Sequence, residues 1–418
     1  LLVGLDIGTS RVAAVVAELR DAGPAVIGVG NAPCEGLRRG VIVNLEATGQ
    51  AIEAALQEAE VAAGVEIHSV FTDVGGEHVR GVNSHGVVPV RHAEVDAADV
   101  ELVLETARTI AFPPDVEILH VLPQEYIVDG VGGIRGPVGM AGVRLEAHVH
   151  VITALVQHVR NVVRCCERLG LHVADLVFAP LAAAEAVLDQ EEKDAGVVVL
   201  DLGAGTSDLL VFVGGALRHT AVLPLGGNHV TGDIAAGLRT PFRDAELLKT
   251  RHGSVLHGMP QAADPSVEVP TAGTGGARLV SRSRLAHVIE ARMEEILALA
   301  QAQAVRSGGL DERGCGVVLT GGAARLPGLA ALAERVFQCP VRVGSPRMEA
   351  DAEASGSGAG AADPGLAAAV GLVRYGVRPL DRFFDLRGDA GRGPGRAWMQ
   401  AARRWWRALA GTGGRRTS

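Results

Sequence analysis

Asp6-Ile7-Gly8-Thr9-Ser10 closes the first apolar run of the chain, and Asp201-Leu202-Gly203-Ala204-Gly205-Thr206-Ser207-Asp208 closes another about 195 residues later. Each couples an aspartate at a strand end to a turn of glycines and hydroxyls. Glycine lets backbone N–H groups approach phosphate oxygens, hydroxyls add donors, and a strand-end aspartate can hold a hydrated Mg2+. One such turn is a weak signal. Two in one chain predict two equivalent domains closing on one nucleotide. No GxxxxGK[ST] stretch exists, which excludes a P-loop. A third piece, GCGVVLTGGAARLPGL (314–329), reads as a buried strand, a turn at Gly321-Gly322 and a helix start. A glycine turn at a strand's carboxyl end lets the chain pass close under an adenine.

The elements that must carry these residues follow from the flanking pattern. LLVGLDIGTS and RVAAVVAEL are short apolar runs joined by Gly8-Thr9-Ser10, the pattern of a β-hairpin, and VVVLDLGAGTSDLLVF repeats it. At 418 residues the chain exceeds one core and should divide into domains. With 48% hydrophobic and 21% charged residues it reads as globular, and a net charge of −9 argues against nucleic-acid binding. No stretch resembles a signal peptide or an uncharged apolar bilayer span, and the start at Leu1, inside an apolar run, implies a few preceding residues. Cys34, Cys165, Cys166, Cys315 and Cys339 form no metal-ligand spacing and read as reduced cytosolic thiols. His148 and His150 alternate on an expected strand without further ligands nearby, so they read as half-exposed structural residues and not as a metal pair.

The three signatures, in this order, resemble the actin/Hsp70/sugar-kinase superfamily of two-lobed ATPases. GLRRGVIVNLEAT (36–48), GVNSHGVVPV (81–90), ILHVLPQEYIVDG (118–130), GPVGMAGVRLEAHVHVITA (136–154) and RHTAVLPLGGNHVTGDIA (218–235) narrow the likeness to the FtsA family of bacterial cell-division proteins. That resemblance implies an actin-like α/β fold with two ribonuclease-H-like cores. Subdomain 1A would take 1–80, 155–195 and 366–387. A 1C subdomain at 81–154 would replace actin 1B. Subdomain 2A would take 196–226 and 305–365, with 2B at 227–304; 348–365, rich in glycine and small residues, reads as a surface loop.

The resemblance also implies ATP with Mg2+ as the ligand. Asp6 and Asp201 would serve the metal, and Gly226-Gly227, Glu246 and Lys249 would join the two hairpins and the Gly321-Gly322 turn in the nucleotide site. Glu246 and Lys249, at i and i+3, share a helix face from which each can reach ribose hydroxyls. The family usually carries lysine after the first hairpin's serine, where this chain has Arg11. MreB and Hsp70 place an acidic residue before the proline that opens the linking helix; here Ala179 precedes Pro180. Alanine cannot orient water, so weak or no ATPase activity is expected. Glu185, further along that helix, reads as part of a solvated face.

The only three tryptophans stand at the end, in RAWMQAARRWWRALAGTGGRRTS. On a helical wheel over 396–410, Trp398, Met399, Ala401, Ala402, Trp405, Trp406 and Leu409 share one half. Gln400, Arg403, Arg404 and Arg407 share the other. Seven arginines and no acidic side chain follow Ala390. This predicts an amphipathic helix lying in an anionic membrane surface, tethered by a flexible 388–395. The family likeness completes the expectation: a polymer on the cytoplasmic face of the bacterial inner membrane at the division site, anchoring the tail of FtsZ. The alternatives are another actin-like membrane scaffold of the PilM type or a genuine ATPase or kinase of the same superfamily. FtsN or other division proteins would bind 1C. The FtsZ contact would fall on 2B at Arg278 and Arg292, with Arg282 and Arg284 nearby and Val288 and Ile289 turning the helix onto the core.

Overall fold

The computed structural model describes residues 1–21, 23–255, 265–271, 276–308, 316–347 and 362–377. The chain divides into a body spanning Leu1–Leu386 and a unit Arg387–Ser418. The expected tether and tail helix lie outside the described residues, as does most of the 348–365 loop.

Leu2–Ile7 and Arg11–Arg20 pair antiparallel with Asp6 opposite Ala13, and Gly8 N–H donates to the Arg11 carbonyl at 3.0 Å to close the turn. Gly23–Pro33 adds antiparallel on one side; Ser69–Val74 and His172–Phe178 add parallel on the other. The second lobe repeats this plan. Val197–Leu202 pairs antiparallel with Ser207–Val213, Asp201 opposite Asp208, and Ala216–Leu223 follows. Gly316–Thr320 and Val341–Val343 complete it in parallel. Val197 and Val199 enter the core shared with the first lobe, while Val198 and Leu200 enter the second lobe's own. A sheet covered on both faces explains the unbroken apolar run.

Two helices secure the strand ends. Ala179–Val187 touches strands of both sheets, and Ala367–Val377 packs across it and onto the first strand. Their approach admits no side chain: a Cβ at Gly371 would stand 1.7 Å from the Ala182 carbonyl oxygen, and one at Gly4 would stand 2.1 Å from that of Ala369.

Between the first lobe's strands, Arg80–Pro89, Val116–Val128, Val131–Ile134 and Arg144–Leu155 form a separate antiparallel sheet. Helix Ala97–Arg108, opened by an Asp96/Asp99 capping box, covers it over a core of its own. This insert docks on the edge strand Ala216–Leu223. Gln124 Nε2 donates to the Leu217 carbonyl at 2.9 Å, and His150 lies between Asn83 Oδ1 at 2.6 Å and Thr220 Oγ1 at 3.0 Å. His150 is thus fully buried, not half-exposed, and burial pushes its pKa down to about 4. His148 instead meets Glu125 at 3.2 Å, and among the described residues no cluster of three or more His, Cys, Asp or Glu side chains has metal-holding geometry.

Candidate functional site

The two strand-end hairpins open toward each other across a cavity of about 340 Å3, a size that suits a small-molecule ligand. Of the nucleotide-site residues expected from sequence, all but Ser207 and Gly226 line it. Ser207 is buried and donates its hydroxyl to the Leu225 carbonyl at 2.8 Å, so it fastens the hairpin from behind. Gly226 also works from behind: a Cβ there would stand 2.6 Å from the Gly203 carbonyl oxygen. Next to it, Gly227 and Asn228 donate backbone N–H groups to the Gly203 and Ala204 carbonyls at 2.9 and 2.8 Å. The start of helix Gly227–Leu238 thereby braces the second hairpin.

Gly203 and Gly205 differ in what surrounds them. A side chain at Gly203 would meet only its own hairpin, with the Thr206 carbonyl oxygen 3.1 Å away. One at Gly205 would strike the opposite lobe, 2.6 Å from Thr9 Oγ1 and 2.9 Å from Arg39 Cα. Thr9 Oγ1 also accepts from Gly40 N–H at 3.0 Å, so hairpin one, the Arg39-Gly40 turn and Gly205 form one close contact between lobes. Gly205 is therefore a packing glycine, which the expectation of phosphate contact alone overlooked.

Four aspartates converge below the hairpins. Asp6 and Asp201 come from the predicted positions; Asp73 and Asp208, both buried, were not singled out. Burial, then repulsion from Asp6, pushes Asp201 up to about 7. Burial raises Asp6 as well, against the pull of Arg11, and burial with repulsion from Asp6 holds Asp73 well above the usual carboxylate range. Asp208 is raised by burial and by Asp201; its Oδ2 accepts from Thr206 at 3.1 Å while its Oδ1 is buried without a hydrogen-bond partner among the described residues. Under-compensated carboxylates and an orphaned oxygen fit a divalent cation nearby. One or two carboxylates would hold it, with water and ligand oxygens completing the shell. The signal was readable: FTDVGG repeats the aspartate-before-glycine pattern, and pairing across the second turn sets Asp208 opposite Asp201.

On the far wall Lys249 Nζ meets Glu246 Oε2 at 2.7 Å, Thr231 Oγ1 at 2.8 Å and the Gly227 carbonyl at 3.0 Å. Burial lowers the Lys249 pKa, and Glu246 partly offsets that. The Gly321-Gly322 turn lies close over Asp201: Gly321 has φ +83°, and a Cβ there would stand 2.2 Å from Asp201 Oδ1. Arg325, just beyond this turn, also lines the cavity and was not anticipated. Ala179 contributes a methyl group to the lining. Glu185 corrects the sequence reading, being buried and paired with Lys193 Nζ at 2.7 Å.

Arg278 and Arg292 lie apart from the cavity and both hold helix Gly227–Leu238. Arg278 Nη2 donates to the Leu238 carbonyl at 2.6 Å, and Arg292 grips Asp233 through Nε at 2.5 Å and Nη2 at 3.0 Å while also reaching Glu295. Ile289 is buried and Val288 packs on the same core, as the helix reading required. Trp398, Met399, Ala402, Arg403, Arg404, Trp405, Trp406, Arg407 and Leu409 lie outside the described residues.

Two sheets of one plan, each presenting a glycine hairpin to a shared cleft, define the two-lobed actin-like α/β fold. Solved structures agree on that fold. The PilM-PilN type IV pilus biogenesis complex aligns at TM-score 0.64 with 21% identity, covering 90% of this chain and 99% of that one. MreB5 of Spiroplasma citri bound to AMPPNP aligns at 0.53 with 13% identity, covering 90% and 95%. Sequence specifies the member. Cell division protein FtsA of Pseudomonas aeruginosa is 44% identical over 379 residues, 90% of this chain and 89% of that protein. The Escherichia coli protein of the same name is 43% identical over 384 residues, 90% of each. The family described as Cell division protein FtsA matches residues 198–371, and the SHS2 domain inserted in FtsA matches 76–153, where the separate antiparallel sheet stands. The chain belongs to the FtsA family of cell-division proteins.

Proposed function

We propose that the chain binds ATP with Mg2+ between its lobes, and that the nucleotide sets the lobes in the arrangement in which copies polymerise. The polymer lies on the cytoplasmic face of the membrane at the division site, held by residues 396–410, and anchors FtsZ filaments; FtsN or other division proteins join at the insert. The observation that carries this reading is the lining of the cleft. Five carboxylates (Asp6, Asp73, Asp201, Asp208 and Glu246) face three cations (Arg11, Lys249 and Arg325) around paired glycine turns. A metal ion that screens a polyphosphate from the aspartates would strengthen its binding in such a site. Asp6 and Asp201 are the residues that would hold the ion, which would supply charge neutralisation at the phosphates. Turnover is slow in this reading. The side chain before Pro180 is a methyl group, and the nearby Glu185 is engaged by Lys193.

Co-sedimentation with anionic vesicles and purified FtsZ, with and without ATP, tests the whole reading. Deleting 396–418 should leave folding and ATP binding intact and abolish vesicle pelleting. Trp405→Glu with Trp406→Glu should do nearly the same by placing charge in the apolar face. Salt should release the intact chain only in part, because it screens the arginines and leaves tryptophan burial untouched. Complete release by salt alone would show a purely electrostatic tail.

The FtsZ contact has a separate test, shaped by the internal partners of the two arginines. Arg278→Glu should weaken binding of an FtsZ tail peptide by about tenfold or more, the loss of one charged hydrogen bond of about 1.5–3 kcal/mol. Arg292→Gln should act in the same direction without setting a third carboxylate beside Asp233 and Glu295. Fluorescence anisotropy reads the affinity, and a thermal melt of each variant reports the fold. If both variants bind the peptide like the parent, the contact lies elsewhere.

A further inference from the structure

Two of the cavity's cations are tied to one carboxylate that does not itself line the cavity. Arg11, on the first lobe's hairpin, donates Nη2 to the Gly365 carbonyl and places Nη1 3.8 Å from Asp363. Arg325, beyond the second lobe's glycine turn, grips the same Asp363 through Nε at 2.6 Å and through Nη2. The segment bearing Asp363 is itself anchored to both lobes. Gly321 N–H and the Thr320 hydroxyl donate to the Pro364 carbonyl at 3.1 and 3.2 Å, and from Ala367 onward the chain is a helix on the first lobe. The two guanidiniums crowd over Gly365, where a Cβ would stand 2.5 Å from Arg11 Nη2 and 2.6 Å from Arg325 Nη2.

We infer that Asp363 is a positioning residue for the nucleotide site, holding one arginine from each lobe against the cavity wall and keeping Arg11 away from Asp6 and Asp201. This rests on the nucleotide-binding reading. Among the described residues each guanidinium keeps unused N–H donors, so a phosphate meets two pre-ordered forks and little side-chain freedom is lost on binding. Arg11 already acts electrostatically on Asp6 and Asp201. Released from Asp363 and Gly365, its planar fork would pair with those carboxylates bidentately and compete with a divalent cation for them. A lysine, with a single compact charge, would need no such holder.

The test is calorimetric titration of ATP into the full chain, once with Mg2+ and once with chelator, for the parent, Asp363→Asn and Gly365→Ala. Gly365→Ala leaves the carboxylate in place and displaces both guanidiniums by its methyl group alone, so the two variants reach the same end differently. Both should lose about tenfold in affinity with Mg2+ and markedly less without it, because only the metal competes with a freed Arg11. Asp363→Glu should recover part of the loss. Variants that bind like the parent in both conditions overturn the inference, and so does an equal loss with and without Mg2+, which marks a merely structural role. A parent chain that binds no ATP overturns the proposed function together with it, whereas parental binding with unchanged variants overturns only the role of Asp363.

Discussion

Gly203→Val and Gly205→Val, two positions apart on one hairpin, should both weaken ATP binding by about tenfold to a hundredfold, and by different routes. At Gly205 the added Cβ would lie 2.6 Å from Thr9 Oγ1 and 2.9 and 3.0 Å from Arg39 Cα and N. Two of those three atoms are backbone, so the strain falls on the joint between lobes and not on a flexible side-chain tip. Overpacking of this kind costs about 1–3 kcal/mol, and here it would be concentrated in the closed arrangement. At Gly203 the nearest foreign atom is the Thr206 carbonyl oxygen at 3.1 Å, and the residue faces the cavity. Valine there would occupy ligand space without forcing the lobes apart. Gly205→Val should therefore lower the thermal midpoint of the ligand-free chain as well as the affinity, and Gly203→Val should lower the affinity alone. Calorimetry with ATP and Mg2+, paired with a thermal melt, separates them. Unchanged affinity in both variants would place the nucleotide away from this cleft.

The difference between those two glycines also shows where sequence reading stops. That DLGAGTSD forms a tight turn between strands follows from its apolar flanks and turn residues, and pairing across the turn puts Asp208 beside Asp201. A two-lobed nucleotide binder was legible for the same reason, from two hairpins of one plan and a glycine turn after a third strand, each a local signal; the actin-like fold came from the resemblance those signals carry. What stands across from a residue is not local. Gly205 touches Thr9 and Arg39, separated from it by well over a hundred residues, and no periodicity announces that contact. Glu185 reads as a solvated helix position because its partner, Lys193, sits on the next short helix, and only the packing of both against the second sheet buries them. Arg278 and Arg292 read as arginines rimming a peptide groove. Their grip on Leu238 and Asp233 depends on how helix Gly227–Leu238 lies beside the strand Ala277–Ser281, which carries Arg278, and beside helix Arg282–Arg306, which carries Arg292.

The joint between the insert and the second lobe should loosen in acid. His150 is neutral in the folded chain, its rings of partners being Asn83 and Thr220, with His219 the charged-capable neighbour that disfavours a proton further. Its pKa falls from 6.5 to about 4 on folding, with burial the main cause. The sign follows directly: between those values the unfolded chain takes up a proton that the folded chain refuses, so acid favours the open state. Stability from this group is fully present above pH 6.5 and is lost as the pH falls toward 4. The loss runs at up to about 1.4 kcal/mol per pH unit and reaches about 3 kcal/mol. The four raised aspartates of the cleft pull the other way, since they bind protons more readily folded than unfolded. A difference measurement is therefore required. His150→Gln keeps a polar side chain that does not titrate, so the parent should lose stability relative to it on acidification, while the two change little relative to each other above neutrality. Hydrogen exchange localises the effect, with protection lost first along Arg80–Pro89 and Ala216–Leu223, the strands that His150 joins. Parallel stability curves for parent and variant across that range would mean that His150 accepts its proton in place, and that the joint is held by the Gln124 and Asn83 contacts without it.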